Sequence, residues 1–245
     1  MKSKGTVYLV GAGPGDAGLL TLRGAELLGR AEVLVYDALV NPEILRLAPK
    51  SAEVIYGGKR SRDHAIPQDD LNRLLVAKAL EGKTVVRLKG GDPYLFGRGG
   101  EEAEELAAAG VPFEVVPGIS SIVAGPNYAG IPVTHRDHCS SFTVITGHED
   151  PEKGGTALDY AQLAKLPGTK VVLMGVERIR AISDALMANG MAADTPVGMV
   201  RWGTTGAQQT LTGTLATIAD LVAERKFTAP AVTVIGTVVR LREKL

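Results

Sequence analysis

VYLVGAGPGDAGLLTLRGAELL, residues 7–28, is the stretch on which the fold turns. Val7 to Val10 make a short buried-strand pattern that runs directly into GAGPG at 11–15. Thr21 then opens an amphipathic segment carrying Leu22, Ala25, Leu27 and Leu28. Strand, glycine-rich turn and helix in that order open a parallel α/β sheet. The same rhythm continues outward. Val33 to Tyr36 predicts a second strand, ending at Asp37, and Glu53 to Tyr56 a third. Pro67 begins a helix with Leu71, Leu74, Leu75 and Ala79 on one side, and Gly82 ends it. Thr84 to Leu88 predicts a fourth strand that delivers Lys89-Gly90-Gly91-Asp92-Pro93. After a helix over Glu101 to Ala109, Phe113 to Val116 forms a fifth strand, followed by Pro117-Gly118-Ile119-Ser120-Ser121. Each glycine-rich segment follows the carboxyl end of a strand, where open α/β sheets hold their ligands.

Beyond Thr134-His135-Arg136-Asp137 the rhythm changes. Strands are predicted at 142–146, 170–174, 197–201, 208–212 and 231–235, with helices near 158–164, 179–188 and 215–225. Two successive strands between 197 and 212 have no helix between them, which implies an antiparallel or mixed sheet. The expectation is an α/β protein of two domains: residues 1–135 with a mostly parallel sheet and the glycine-rich loops, and residues 136–245 with a mixed sheet.

Composition narrows the function. Lys plus Arg and Asp plus Glu both number 27, so no global charge favours nucleic acid or an anionic membrane, and neither partner is expected. Aromatic residues, at 4%, are too few for a platform on which bases stack. Cys139 is the one cysteine, which rules out an internal disulfide and a four-thiolate zinc site. The N-terminal apolar run is too short for a signal peptide, and no stretch approaches the ~20 apolar residues of a membrane span. A cytoplasmic location is expected. His64, His135, His138 and His148 lack metal-ligand spacing, so no metal is expected.

The glycine-rich turns discriminate further. A dinucleotide loop needs a third glycine at position 16, and that residue is Asp16, although Asp37 lies about where a ribose-binding acid would sit. GKT at 82–84 lacks the earlier glycine of a phosphate loop. Pro14 removes an amide donor, which suits a ligand lying against the chain better than a cradled phosphate. RLKGGDPYLFGRGG at 87–100 places five glycines among basic residues in one strand-to-helix connection. Gly90 and Gly91 permit close backbone approach to a ligand, and Asp92 is suited to accept from a ligand ammonium.

GAGPGDAGLLTLRGAELL, VLVYDALV, RLKGGDPYLFGRGGEE, VVPGISS and YAGIPVTHRD followed by VITGH resemble, in order and spacing, the uroporphyrinogen-III C-methyltransferases. These are tetrapyrrole methylases that use S-adenosylmethionine. The resemblance runs from about Val7 to Leu245. It implies two α/β domains with cofactor and substrate in the cleft between them, a homodimer, and methylation of ring carbons 2 and 7 of uroporphyrinogen III to precorrin-2, for sirohaem or cobalamin. The alternatives among methyl transferases are a methylase of a later cobalamin precursor and, after it, a diphthamide-synthesis methylase; outside that class stand a ligand-binding regulator and a nicotinamide oxidoreductase. At this length no oxidoreductase or chelatase domain is expected.

Carried onto this chain, the resemblance makes Pro14, Gly90, Gly91, Asp92, Leu95, Ser120, Ser121, Met174 and Gly203 cofactor contacts, Asp37 the proton acceptor and Lys59 the proton donor. An acid at a strand end is as often structural as catalytic, and Lys59 fits a substrate carboxylate equally well. A porphyrinogen with eight carboxylates demands local positive charge, which Arg60, Arg62, His64, Arg98 and Arg136 are placed to supply. The chain departs from the family pattern at Ser61-Arg62-Asp63-His64 and at Pro126, where a helix is expected to kink or break.

Overall fold

The computed structural model describes residues 3–58, 66–148 and 156–245. Contacts divide the chain into two units, Met1–Ser120 and Ser121–Leu245. The first contains β1 (Val7–Gly11), α1 (Leu22–Leu28), β2 (Val33–Tyr36), α2 (Pro42–Leu45), β3 (Glu53–Tyr56), α3 (Gln68–Leu80), β4 (Val85–Lys89), α4 (Gly99–Ala108) and β5 (Phe113–Val116). All its strand pairs are parallel, in the order β3-β2-β4-β1-β5.

This sheet is covered on both faces, which is why β1, β2 and β4 read as apolar runs rather than as alternating strands. Val7, Leu9, Val33, Val35 and Val85 point toward Leu71 and Leu75 of α3 and Leu106 of α4. Val10, Leu34, Val86 and Leu88 point the other way, toward Leu27 and Leu28 of α1 and Ile44 of α2. Burying one such leucine stabilises by about 1.5–3 kcal/mol. The Thr21 hydroxyl starts α1 by accepting from the Gly24 amide at 3.0 Å. The four-residue α2 carries no apolar periodicity that the sequence displays; the side chain of Asn41 caps it and also donates to the Gly15 carbonyl at 2.7 Å.

The second unit contains α5 (Ser121–Tyr128), β6 (Phe142–Thr146), α6 (Tyr160–Lys165), β7 (Thr169–Leu173), α7 (Ile179–Ala188), β8 (Pro196–Arg201), β9 (Gln209–Thr214), α8 (Ile218–Glu224) and β10 (Ala231–Ile235). Its sheet is mixed, in the order β6-β7-β10-β8-β9, with β6 and β7 parallel and the other pairs antiparallel. The division at 120/121 falls earlier than the change of sequence rhythm at 135/136 because α5 packs on this sheet: a Cβ added to Gly125 would stand 2.9 Å from Val232 Cγ1. Pro126 lies inside α5, and the helix runs through it to Tyr128, two residues on. At that position the proline forfeits one amide donor near the helix end, and its own carbonyl accepts from the amides of Ala129 and Ile131, each at 2.9 Å. Among the described residues no helix is long and apolar enough to cross a membrane.

Candidate functional site

Strands β4, β1 and β5 are neighbours and parallel, so the segments after Lys89, Gly11 and Val116 leave the same edge of the first sheet. They are tied to one another. Gly13 and Gly91 exchange amide-to-carbonyl bonds of 3.2 and 2.7 Å, and the Ala12 amide donates to the Lys89 carbonyl at 2.7 Å. Oδ2 of Asp92 accepts from the Gly118 amide at 3.0 Å and Oδ1 from the Tyr94 amide at 2.8 Å. A carboxylate that the sequence offers to a ligand ammonium therefore also clamps two loops. Asp16, where a dinucleotide loop would have glycine, caps the 3-10 turn Ala17–Leu19 through the Gly18 amide at 2.8 Å.

Most of these glycines are required by loop-on-loop contact. A Cβ on Gly118 would lie 2.7 Å from Gly11 Cα, and one on Gly90 would lie 3.1 Å from Leu39 Cβ. Gly91 differs. Its φ is +67°, and a Cβ there would meet nothing nearer than Ser120 Cα, at 3.9 Å. The chain thus leaves a bare backbone face bordered by Ser120, a cradle that a side chain would fill and a nucleoside or amino-acid moiety can occupy. Pro14, Leu95 and Ser120 are half-buried on the same group of loops.

Backbone strain concentrates in these segments and their counterparts in the second unit. Among the described residues the non-glycine positions with positive φ are Phe96, Arg98, Met174, Trp202, Thr204 and Lys226. Each such conformation costs about 1–3 kcal/mol and persists where surrounding structure imposes it, often at ligand sites. Phe96 and Arg98 belong to the loop after β4. Met174 follows β7, while Trp202 and Thr204 flank Gly203 after β8. Because β10 runs antiparallel to both β7 and β8, the ends of those two strands share one edge of the second sheet, with Val232 paired to both Leu173 and Val200. Gly203 is pressed on α5: a Cβ there would lie 2.9 Å from Gly125 Cα. Ser121 is the first residue of α5.

Asp37, just past β2, is not isolated. Its Oδ1 is 2.6 Å from a terminal nitrogen of Arg87, whose Nε donates to Oε1 of Glu102 at 3.1 Å. Lys89 Nζ donates to that same oxygen at 2.7 Å, and the Gln68 side-chain amide does so at 3.3 Å. Arg87 and Lys89 are 2% exposed and Glu102 is 0% exposed; the Asp37 side chain remains 29% exposed. Burial, reinforced by the charge of Arg87, pushes the Lys89 ammonium below the usual lysine range, while Glu102 and Asp37 oppose that shift. Sequence reasoning missed Arg87, Lys89 and Glu102. A signal existed: VVRLK puts two cations two residues apart, on one face of a strand whose other residues are all apolar.

The remaining substrate-binding expectations divide in two. Arg98 is exposed and donates to both carboxylate oxygens of Glu101, with a shortest separation of 2.6 Å. Arg136 is exposed in the connection before β6, between His135 and Cys139, which bridge. Lys59, Arg60, Arg62 and His64 lie outside the described residues.

The model of the tetrapyrrole (corrin/porphyrin) methylases matches residues 6–219. An S-adenosyl-L-methionine-dependent uroporphyrinogen III methyltransferase of Methanosarcina barkeri is 56% identical over 241 residues, covering 98% of this chain and 94% of that protein. A siroheme synthase of Pseudomonas aeruginosa is 51% identical over 98% of this chain, which spans only 51% of that longer protein. Among solved structures, uroporphyrin-III C-methyl transferase from Thermus thermophilus, complexed with S-adenyl homocysteine, superposes with a TM-score of 0.80 at 41% identity, covering 97% of this chain and 100% of the other.

Proposed function

Since the chain belongs to the tetrapyrrole methylases, we propose that it methylates ring carbons 2 and 7 of uroporphyrinogen III, giving precorrin-2 for sirohaem or cobalamin. The carrying observation is the edge of β4-β1-β5, where three loops interlock around the bare face of Gly91. When bound, S-adenosylmethionine supplies a methyl group made electrophilic by its sulfonium and departs as S-adenosylhomocysteine. Pro14, Gly90, Gly91, Asp92, Leu95 and Ser120 would hold it through backbone and short side chains. Ser121, Met174 and Gly203 are further cofactor contacts on the residue pattern.

The chain has two other tasks. It must align the attacking carbon with the methyl group, which a rigid loop cluster does by fixing geometry in advance. It must also remove a proton, because bonding a methyl group to a pyrrole carbon leaves the macrocycle with one positive charge. Asp37 takes that proton on its carboxylate, and Lys59 either donates one or pairs with a substrate carboxylate. Arg60, Arg62, His64, Arg98 and Arg136 bind the acidic periphery. The reading includes a cytoplasmic homodimer. A later cobalamin precursor has less support as substrate, since the two relatives named above, at 56% and 51% identity, are a uroporphyrinogen III methyltransferase and a siroheme synthase.

Mass spectrometry of the product formed from uroporphyrinogen III and S-adenosylmethionine tests the proposal. Two added methyl groups are expected. An unmodified macrocycle, together with methylation of a later precursor, would refute it. Calorimetry with S-adenosylhomocysteine, NAD and NADP should give heat with the first alone.

A further inference from the structure

Arg87, Lys89 and Glu102 form a buried charge cluster to which neither the sequence motifs nor the proposed chemistry assigns a task. As a stabilising device it is poorly arranged. Taking ions out of water costs several kcal/mol each, and well-packed apolar residues of similar volume commonly do as well or better. A carboxylate that served only to neutralise two cations would engage both its oxygens. Glu102 instead gathers Arg87, Lys89 and Gln68 on Oε1, while buried Oε2 has no hydrogen-bond partner among the described residues. What the arrangement does accomplish is directional. Arg87 is fixed at Nε by Glu102, and its terminal nitrogen extends from beneath α4 to the part-exposed Asp37, 2.6 Å away. Lys89 balances the second carboxylate, so the four charges sum to zero.

We infer that Arg87 is the positioning residue for Asp37: held by Glu102, it pins Oδ1 and leaves Oδ2 as the atom that receives the proton from the methylated macrocycle. This rests on the proposed function. Asp37 alone has two free side-chain torsions and water as a competing partner. A close ion pair with a buried, immobilised guanidinium restrains that freedom. The 2.6 Å contact is to Oδ1 and the Asp37 side chain stays 29% exposed, so the pinning does not take Oδ2 as its partner. The methylated carbon is quaternary and carries no hydrogen, so the proton leaves another carbon of the macrocycle for Oδ2, and the electrons of that broken C–H bond form a new double bond that cancels the charge.

The test is steady-state methyl transfer to uroporphyrinogen III by the wild-type chain, Arg87→Met, Arg87→Lys, Asp37→Asn and the Arg87→Met/Asp37→Asn double variant, with S-adenosylhomocysteine affinity and melting temperature alongside. Arg87→Met should lower kcat on the order of 10- to 100-fold, the scale of a misplaced catalytic group, with KM and S-adenosylhomocysteine affinity within about twofold of wild type. Arg87→Lys keeps the charge but cannot span Glu102 and Asp37 together. It should fold and lose about tenfold in kcat. The double variant should be no slower than Asp37→Asn, because a positioning residue has nothing left to position. A purely structural role for Arg87 would instead multiply the two losses and lower affinity and melting temperature together. The inference is overturned by multiplying losses, by an Arg87→Lys enzyme within about twofold of wild-type kcat, or by an Asp37→Asn enzyme of unchanged rate. Should Arg87→Met fail to fold, Arg87→Lys and its double variant with Asp37→Asn decide by the same criteria. A wild-type chain that does not methylate uroporphyrinogen III removes the premise, and the inference with it, before any variant is compared.

Discussion

Gly118→Ala would insert one methyl group where three backbones meet. The new Cβ would stand 2.7 Å from Gly11 Cα and 2.9 Å from Gly11 C, and closer still to the Gly91 carbonyl oxygen. Ordinary contacts begin at 3.4 Å, so the loops must separate by roughly 0.7 Å or more. None of the obstructing atoms can rotate away, since all are backbone, and one residue ends β1 while another bridges to Gly13. Overpacking of this kind costs about 1–3 kcal/mol. It also strains the 3.0 Å bond from the Gly118 amide to Asp92 and the paired bonds of Gly13 and Gly91. If that cost falls on the geometry that receives the cofactor, affinity for S-adenosylhomocysteine drops roughly 5- to 150-fold. Calorimetric titration measures it, and Gly100→Ala is the control. A Cβ on Gly100 meets nothing within 4 Å, and the residue lies in α4, so alanine there should add about 0.5–1 kcal/mol of stability without altering affinity. Wild-type affinity in Gly118→Ala would refute the view that close apposition of the three loops builds the site.

Three other outcomes are expected. Leu106→Ala removes a fully buried side chain between α4 and the first sheet, and denaturant unfolding should show a loss of about 2–5 kcal/mol. Thr21→Ala deletes the hydroxyl that caps α1 and should cost about 1 kcal/mol by the same assay, while Thr21→Ser should restore most of it. Lys89 has a lowered pKa in the folded state, so below the unfolded value of 10.5 the unfolded chain binds more protons at this site. Its contribution to stability therefore rises with pH through the window from the lowered folded pKa up to 10.5, and is least favourable below that window. As pH is raised toward 10.5, urea midpoints should climb more steeply in the wild-type chain than in Lys89→Met; parallel profiles would contradict the assignment.

Much of this protein is legible in one dimension. Apolar quartets such as Val7 to Val10 identify two-sided strands because covered sheets need no polar alternation, and the change of rhythm after Thr134 announces the mixed sheet. Motif residues such as Gly90-Gly91-Asp92 stand where local turn chemistry puts them, at a strand end. Other features depend on partners distant in sequence. The allegiance of α5 is settled by where Gly125 meets Val232, 107 positions apart, and no local signal records it. Likewise, Gly118 must be glycine because of Gly11, and Asp92 clamps a loop 26 residues away. Asp37, Arg87 and Glu102 become one ion-paired cluster only once β2 lies beside β4 and α4 covers the face that Arg87 and Lys89 share. Periodicity and turn propensity are local free energies, so the sequence alone determines elements and their ends. Contacts between chain-distant atoms arise from topology and close packing, so only the tertiary structure decides which glycines are wedged, which carboxylate is held and by what.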